Sequence, residues 1–318
     1  MKNNKKGMFF TLMTIAFLFI FIFIFMIPGY KRLEEKMGVI EIRVDSMNDF
    51  IKDLKRDTSR GLYISSFRAL MALEGYIIQN GEFLEDIDKS FKEALLNGTV
   101  DNMSSSLMLF STFPNWIENI QNKAMKLNID ANITLHDVYI LQNDPWHVTV
   151  SANLTFSIRD VTDIASWNID EVINTSVSIM TFEDPFYIVY GYGRTTNIIN
   201  ITPFEGNYTY KVGEQWKVDN LIAHAENSYY ASNPDAPDFL MRLESKLDEQ
   251  SVHGIESLVN PKKLADLGLE TYTGRSIVDY LYWDEAAGPY RINSTPSWFR
   301  LDNAHRARYN VTGLSYED

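Results

Sequence analysis

Met8-Phe-Phe-Thr-Leu-Met-Thr-Ile-Ala-Phe-Leu-Phe-Ile-Phe-Ile-Phe-Ile-Phe-Met-Ile27 is a run of 20 residues without a charge, and its only polar side chains are Thr11 and Thr14. At ~1.5 Å rise per residue, a helix over this run is ~30 Å long, the thickness of a bilayer's hydrocarbon core. An uncharged run of that length is costly to hide inside a soluble fold. A removable secretory signal has an apolar stretch of roughly 7–15 residues followed by a small-x-small site. Here the run is longer and continues into Met26-Ile27-Pro28-Gly29-Tyr30. The reading is a retained, single-pass transmembrane anchor, with the lipid bilayer as its first partner. Lys2, Lys5 and Lys6 precede it. The positive-inside rule then leaves the N-terminus in the cytoplasm and the ~290 residues that follow outside the cell.

That outer part carries 26 basic and 42 acidic residues, within a chain of 318 residues and net charge −13. An acidic surface repels phosphate backbones, so no nucleic acid partner is expected. Hydrophobic residues are 45% and charged residues 22%, enough to build a core and to exclude a disordered chain. There is no Cys, which removes disulfides, thiol nucleophiles and Cys-bound metals. Asn-x-Ser/Thr occurs at Asn97, Asn102, Asn132, Asn153, Asn174, Asn200, Asn207, Asn293 and Asn310, nine of 25 Asn. Chance gives about three. In His147–Ile158, apolar and polar residues alternate and Asn153 falls on the polar side, as an exported glycoprotein requires.

Beyond Pro28, Leu33, Met37, Ile40, Val44, Met47, Ile51 and Leu54 are spaced 4, 3, 4, 3, 4, 3. That is a heptad seam, a coiled-coil signature. Apolar spacing continues to Ile77 and stops at Gln79-Asn80-Gly81. For 33–54 the expected cover is intermolecular, a copy of this chain or another surface subunit; for 62–79 it is the chain's own next helices. Those are expected at 83–96 and at 101–128, the latter interrupted near Pro114. From 129 the period becomes two. Strands are expected at 129–141, 147–158, 171–182, 186–192 and 196–202, the first two a hairpin about Asn143-Asp144-Pro145.

Farther on, Lys211–Tyr230 is expected to be partly helical. Asp235 or Asp238 is expected to cap a helix running through Leu247. Strands are expected at 254–259 and 276–283, with a short Arg-rich helix in the tail. The fold class is α+β: an N-terminal transmembrane helix continuing into a long helical stalk, an antiparallel β-sheet or sandwich head, and a mixed C-terminal part. The divisions are 1–28 (cytoplasmic tip and anchor), 29–128 (helical stalk), 129–210 (β domain) and 211–318 (mixed region, joined to the β domain or separate).

Lys5-Lys6-Gly7-Met8-Phe9-Phe10-Thr11-Leu12 resembles a class III, prepilin-type signal. In that family a peptidase cuts after a Gly preceded by basic residues, and the apolar helix stays on the mature subunit to pack in a filament. The resemblance implies cleavage between Gly7 and Met8. Bacterial pilins usually carry Glu at the fifth mature position, where this chain has Leu12; archaeal relatives often lack it. A plain signal anchor is the alternative. Phe182-Glu-Asp-Pro-Phe-Tyr187, Phe239–Glu244, Gly254–Val259 and Val278-Asp-Tyr-Leu-Tyr282 resemble phrases that recur in exported, uncharacterised archaeal surface proteins. That likeness bears on location and brings no activity.

The chemistry-bearing motifs are sparse. The five His (His136, His147, His224, His253, His305) form no HExxH, and only His136 and His147 lie on opposite arms of the expected hairpin, where they could approach each other. There is no GxSxG, no P-loop and no GxGxxG; Gly191-Tyr192-Gly193 reads as a turn. The acidic pairs Glu34/Glu35, Glu183/Asp184 and Asp284/Glu285 read as solvated surface. The aromatic tail (Tyr280, Tyr282, Trp283, Tyr290, Trp298, Phe299, Tyr309) reads as core, with a sugar- or protein-binding face as the alternative. No catalytic residue, cofactor or metal is expected. The sequence thus points to a pilin-like or accessory structural subunit of a cell-surface assembly. The alternative is an anchored extracellular binding or sensor protein with a β-rich head.

Overall fold

The computed structural model describes residues 5–317, and the side chains of these except 5, 6 and 27–35. Helix α1 runs unbroken from Lys5 to Asn80, 76 residues or ~114 Å. It ends where Gly81 takes φ 69, a left-handed conformation that glycine adopts without strain. From Met47 onward one side of α1 is buried through Ile51, Leu54, Thr58, Leu62, Ser66, Ala69, Leu73 and Ile77. These recur every three or four residues, which puts them on one stripe. Gly61 sits on that stripe because the Trp116 indole lies against it. A Cβ there would come within 2.0 Å of the ring, and the indole N–H donates to the Asp57 carbonyl at 3.1 Å.

Helix α2 (Ile87–Asn97) is capped by Asp86, whose side chain accepts from the Lys89 N–H. A tight pair of two-residue strands, β1 (Thr99–Val100) and β2 (Met103–Ser104), and a 3-10 turn follow. Helix α3 (Phe113–Met125) is capped by Thr112 and has Pro114 in its first turn. The helix expected over 101–128 is therefore confined to its second half. Its first half turns instead, with Asp101 and Asn102 at positive φ.

Strands β3 (Ile129–Asp144), β4 (His147–Asp160) and β5 (Ser166–Ser178) form one antiparallel sheet in the order β3-β4-β5. Val148, Val150, Ala152, Leu154, Phe156 and Ile158 of β4 face inward and their neighbours outward, the alternation of a sheet covered on one side. The sheet lies against helices: β4 and β5 touch α1, and β3 touches α2 and α3. One apolar core runs from Met47 of α1 through α2, α3 and the sheet, so the helical region before 128 and the β region after it share an interior.

The remainder is a set of short elements around a second core that includes Phe186, Leu221, Ile277, Phe299 and Tyr309. Its order is α4 (Pro185–Tyr190), β6 (Tyr210–Val212), β7 (Gln215–Lys217), α5 (Asp219–Asn227), β8 (Tyr230–Ser232), α6 (Phe239–Leu243), β9 (Ile255–Ser257), α7 (Pro261–Asp266), α8 (Asp279–Trp283), β10 (Tyr290–Ile292), β11 (Arg300–Leu301), α9 (Asn303–Arg308) and β12 (Ser315–Glu317). Several expectations are corrected here. The run 186–192 is not a strand: Asp184 caps α4 by accepting from the Phe186 N–H, and Pro185 occupies its first turn. The strand expected at 276–283 gives way to helix α8. Residues 196–202 make only isolated bridges, Glu183 to Ile198 and Ile201 to Tyr230. The region 211–230 begins as the β6–β7 hairpin before becoming helical. Asp238 caps α6, which ends at Leu243 rather than Leu247.

Candidate anchor and interaction surfaces

The segment Gly7–Met26 has a mean hydropathy of 2.7, and none of it is buried by the rest of the chain. Its two polar side chains are satisfied within the helix. The Thr11 hydroxyl donates to the Met8 carbonyl at 3.0 Å, and Thr14 to the Phe10 carbonyl at 2.8 Å. A hydrocarbon environment demands that arrangement, because it offers no other partner. A single N-terminal apolar helix of this kind is compatible with a membrane anchor or a signal segment. Gly7 and Met8 lie in its first turns, with nothing within 4 Å of a Cβ placed on Gly7.

The heptad seam divides in two. Met47, Ile51 and Leu54 are buried in the chain's own core, against the expectation that an intermolecular partner covers all of 33–54. The physical reason is that the sheet and α3 reach down to this level of α1. Arg43 marks the lower limit: its Nε donates to Asp160 at 2.7 Å and its Nη2 to the Asn128 carbonyl at 3.0 Å. Below it, Met37 (65% exposed) and Ile40 (45%) remain uncovered, and Val44 just above it is half-buried. The side chain of Leu33 lies outside the described residues, as do Lys2 and the side chains of Lys5, Lys6, Glu34 and Glu35.

All nine sequon asparagines, Asn97, Asn102, Asn132, Asn153, Asn174, Asn200, Asn207, Asn293 and Asn310, are exposed. Asn132, Asn153 and Asn174 stand on the outer face of the sheet, one on each strand. Exposure at every position is what an oligosaccharide attached there would need.

His136 and His147, expected on opposite arms of the hairpin, do not meet. The ring of His136 bonds Thr155 Oγ1 at 2.7 Å, and that of His147 bonds Asp144 at 2.8 Å near the turn. The register puts His136 level with Asn153 and Leu154, six to seven residues along β4 from His147, or ~22 Å. Among the described residues no group of three or more His, Asp or Glu is placed to hold a metal ion. Gly191-Tyr192-Gly193 ends α4 as a turn, with Gly193 at φ 68.

Two buried ion networks escaped the sequence reading. Asp184, expected on the surface, is fully buried beside Arg242, whose Nη1 donates to Asp184 at 2.6 Å and to Asp279 at 2.9 Å. Tyr230 donates to Asp184 at 2.7 Å, and the Ser257 N–H and hydroxyl donate to Asp279. The guanidinium also lies 4.7 Å from the Phe186 ring centre. The second network centres on Glu256, which meets His305 Nε2 at 3.0 Å, Tyr309 at 2.8 Å and the Arg308 Nε. His305 Nδ1 meets Asp302 at 2.7 Å.

Burial opposes charge at His305, but Asp302 and Glu256 outweigh it and lift the imidazole to about 10. Burial opposes charge at Glu256 as well, yet His305 and Arg308 hold that carboxyl to about 2. With both nitrogens donated to carboxylates, the ring is an imidazolium with no lone pair for general-base work. His224 behaves oppositely: burial, with a smaller push from Arg308, outweighs Glu256 and takes it down to about 4, so it is neutral. These networks join β9 to α4, α6, α8 and α9, tying the C-terminal part together in a chain without disulfides. The sequence clue was a lone Arg in apolar Phe239–Leu243 and a lone Glu in Ile255–Ser257.

Of the aromatic tail, Tyr280, Tyr282, Phe299 and Tyr309 are buried, while Trp283, Tyr290 and Trp298 are half-buried. No protein-family model, curated protein or solved structure matches the chain.

Proposed function

We propose that this chain is a membrane-anchored extracellular structural protein, a pilin-like or accessory subunit of a cell-surface assembly. The observation that carries the reading is α1. Its stretch Gly7–Met26 is an uncovered apolar rod with internally satisfied hydroxyls, and its last 34 residues are built into a folded head. A subunit that must hold a bilayer or a bundle of like helices at one end needs this continuity. The exposed sequon asparagines and the lysines before the rod support a head outside the cell and an N-terminus in the cytoplasm. Met37 and Ile40 are the described seam residues left for a neighbouring copy or another surface subunit.

The test is mass spectrometry of the mature N-terminus in membrane and sheared-surface fractions. A chain beginning at Met8 and present in sheared material supports the assembly reading. A chain that keeps its first residues and stays in the membrane sinks it in favour of an anchored binding or sensor protein. Met37→Asp with Ile40→Asp is expected to abolish crosslinked oligomers while leaving the head folded. A change at Ile51 would confound that test, because Ile51 belongs to the core.

A further inference from the structure

We propose that the hollow between α8, α9 and the turn after β8 is a binding site for a free α-amino acid. The hollow has a volume of about 370 Å³, at the small end of ligand pockets and large enough for one amino acid. Tyr280, His305, Arg308, Asp302 and Asp235 are among its lining residues. The buried Glu256 holds His305 and Arg308, and Asp302 holds the other nitrogen of His305. Two carboxylates thus answer two cations, and the network is neutral as a unit. Asp235 stands outside that balance. It is exposed, and its side chain makes no hydrogen bond or ion pair among the described residues.

Two donors are left over as well. His305 gives a proton from each ring nitrogen, so its Nε2, 3.3 Å from the Tyr280 hydroxyl, has no lone pair to take the Tyr280 proton. Tyr280 is buried, and no other described residue accepts that proton. Arg308 spends its Nε on Glu256 and its Nη2 on the Ser232 carbonyl, and its Nη1 makes no hydrogen bond among the described residues. A buried hydroxyl and a guanidinium edge call for an acceptor, best an ionised carboxylate. Asp235, three residues past the carbonyl that Arg308 grips, calls for a cation. An α-amino acid carries a carboxylate and an ammonium on one carbon and answers both. A simple anion leaves Asp235 unanswered, and an amine leaves Tyr280 and Arg308. Leu281 and Ala304 add apolar wall for a side chain. This inference is independent of the anchor reading, since it concerns the far end of the chain.

The full-length protein in detergent micelles is titrated with L-leucine and followed by calorimetry. L-Leucinamide, which lacks the carboxylate, N-acetyl-L-leucine, which lacks the ammonium, and glucose are run alongside. Saturable leucine binding is expected, with each of the other three at least about tenfold weaker. Asp235→Asn, a change at an exposed position, is expected to weaken leucine at least about tenfold with an unchanged circular dichroism spectrum. Tyr280→Phe keeps the buried ring and is expected to weaken leucine about fivefold. The proposal is overturned if leucine shows no saturation up to about 20 mM, if leucinamide, acetylleucine or glucose binds as well as leucine, or if Asp235→Asn or Tyr280→Phe leaves binding intact.

Discussion

From Gly7 to Ile42, α1 leaves its described apolar side chains largely in the open; from Met47 to Ile77 it buries a full stripe of them. The two stretches are one helix, and both are rich in Leu, Ile, Phe and Met. What separates them is period. The outer stretch is apolar all round through Met26, so no single sheet or helix pair could cover it. The inner stretch is apolar on one side and polar on the other, which is a surface that a three-stranded sheet and two helices can close. Hydrophobic content says that a segment leaves water; its angular distribution says whether the chain itself supplies the shelter.

The largest effect that would break this comparison lies at Leu73. It is fully buried, and Leu73→Ala is expected to cost ~2–5 kcal/mol. Ile40→Ala, below the head, is expected to change the unfolding free energy by less than ~0.5 kcal/mol. Denaturant unfolding of the micelle-bound protein measures both, and equal costs would show that the outer stretch is packed within the chain.

Next comes Glu74, a carboxyl buried on the inner stretch, accepting the Glu183 N–H. Burial lifts it from its ordinary 4.5 to about 7. The folded state therefore binds a proton that the unfolded state has released, and its stability falls as pH rises from about 4.5 to 7. Glu74→Gln is expected to be more stable than the parent above pH 7, by up to ~3 kcal/mol, and similar to it near pH 4.5. A parallel pH dependence in both proteins would remove Glu74 as the cause.

The two glycines give a paired test of smaller size. Nothing lies within 4 Å of a Cβ on Gly38, whereas one on Gly61 runs into Trp116. Gly38→Ala is expected to stabilise by up to ~1 kcal/mol through helix propensity. Gly61→Ala is expected to destabilise despite the same gain, and thermal melts of both variants should move in opposite directions. The smallest effect is at Arg43, the clasp between the stretches. The Thr162 hydroxyl and then Arg43 hold the Asp160 carboxyl to about 2. A depressed carboxyl contributes stability above its ordinary 3.8 that is lost as pH falls toward 2. Arg43→Ala is expected to move the acid-unfolding midpoint slightly upward; an unmoved midpoint means that Thr162 alone holds the charge.

The apolar N-terminal helix, the β3–β4 hairpin, the cap at Asp238 and the turn after Asn80 were legible because each depends on neighbours in the chain. The reading failed where a short apolar run has no exposed side. Pro185–Tyr190 and Asp279–Trp283 are hemmed in by the second core, so alternation carried no information about their period. Asp184 read as solvated surface, but its neutralising partner Arg242 lies 58 positions away. Ion networks of that reach leave no local trace. The inner half of the seam, Met47, Ile51 and Leu54, lies in the chain's own core, and where that burial begins was not legible. That border is drawn by how far the sheet extends, with Arg43 and Asp160 at its edge.

The continuity of α1 has a mechanical consequence. A pull on the outer rod is delivered along the axis of a helix that stays gripped from Met47 to Ile77, ~45 Å of its length. To extract it, the stripe must slide past the sheet and two helices all at once, rather than peel away one contact after another. Such a shear geometry spreads load over many side chains. The head is thus attached to its tether along a length, as a blade is held by a tang that runs through the handle.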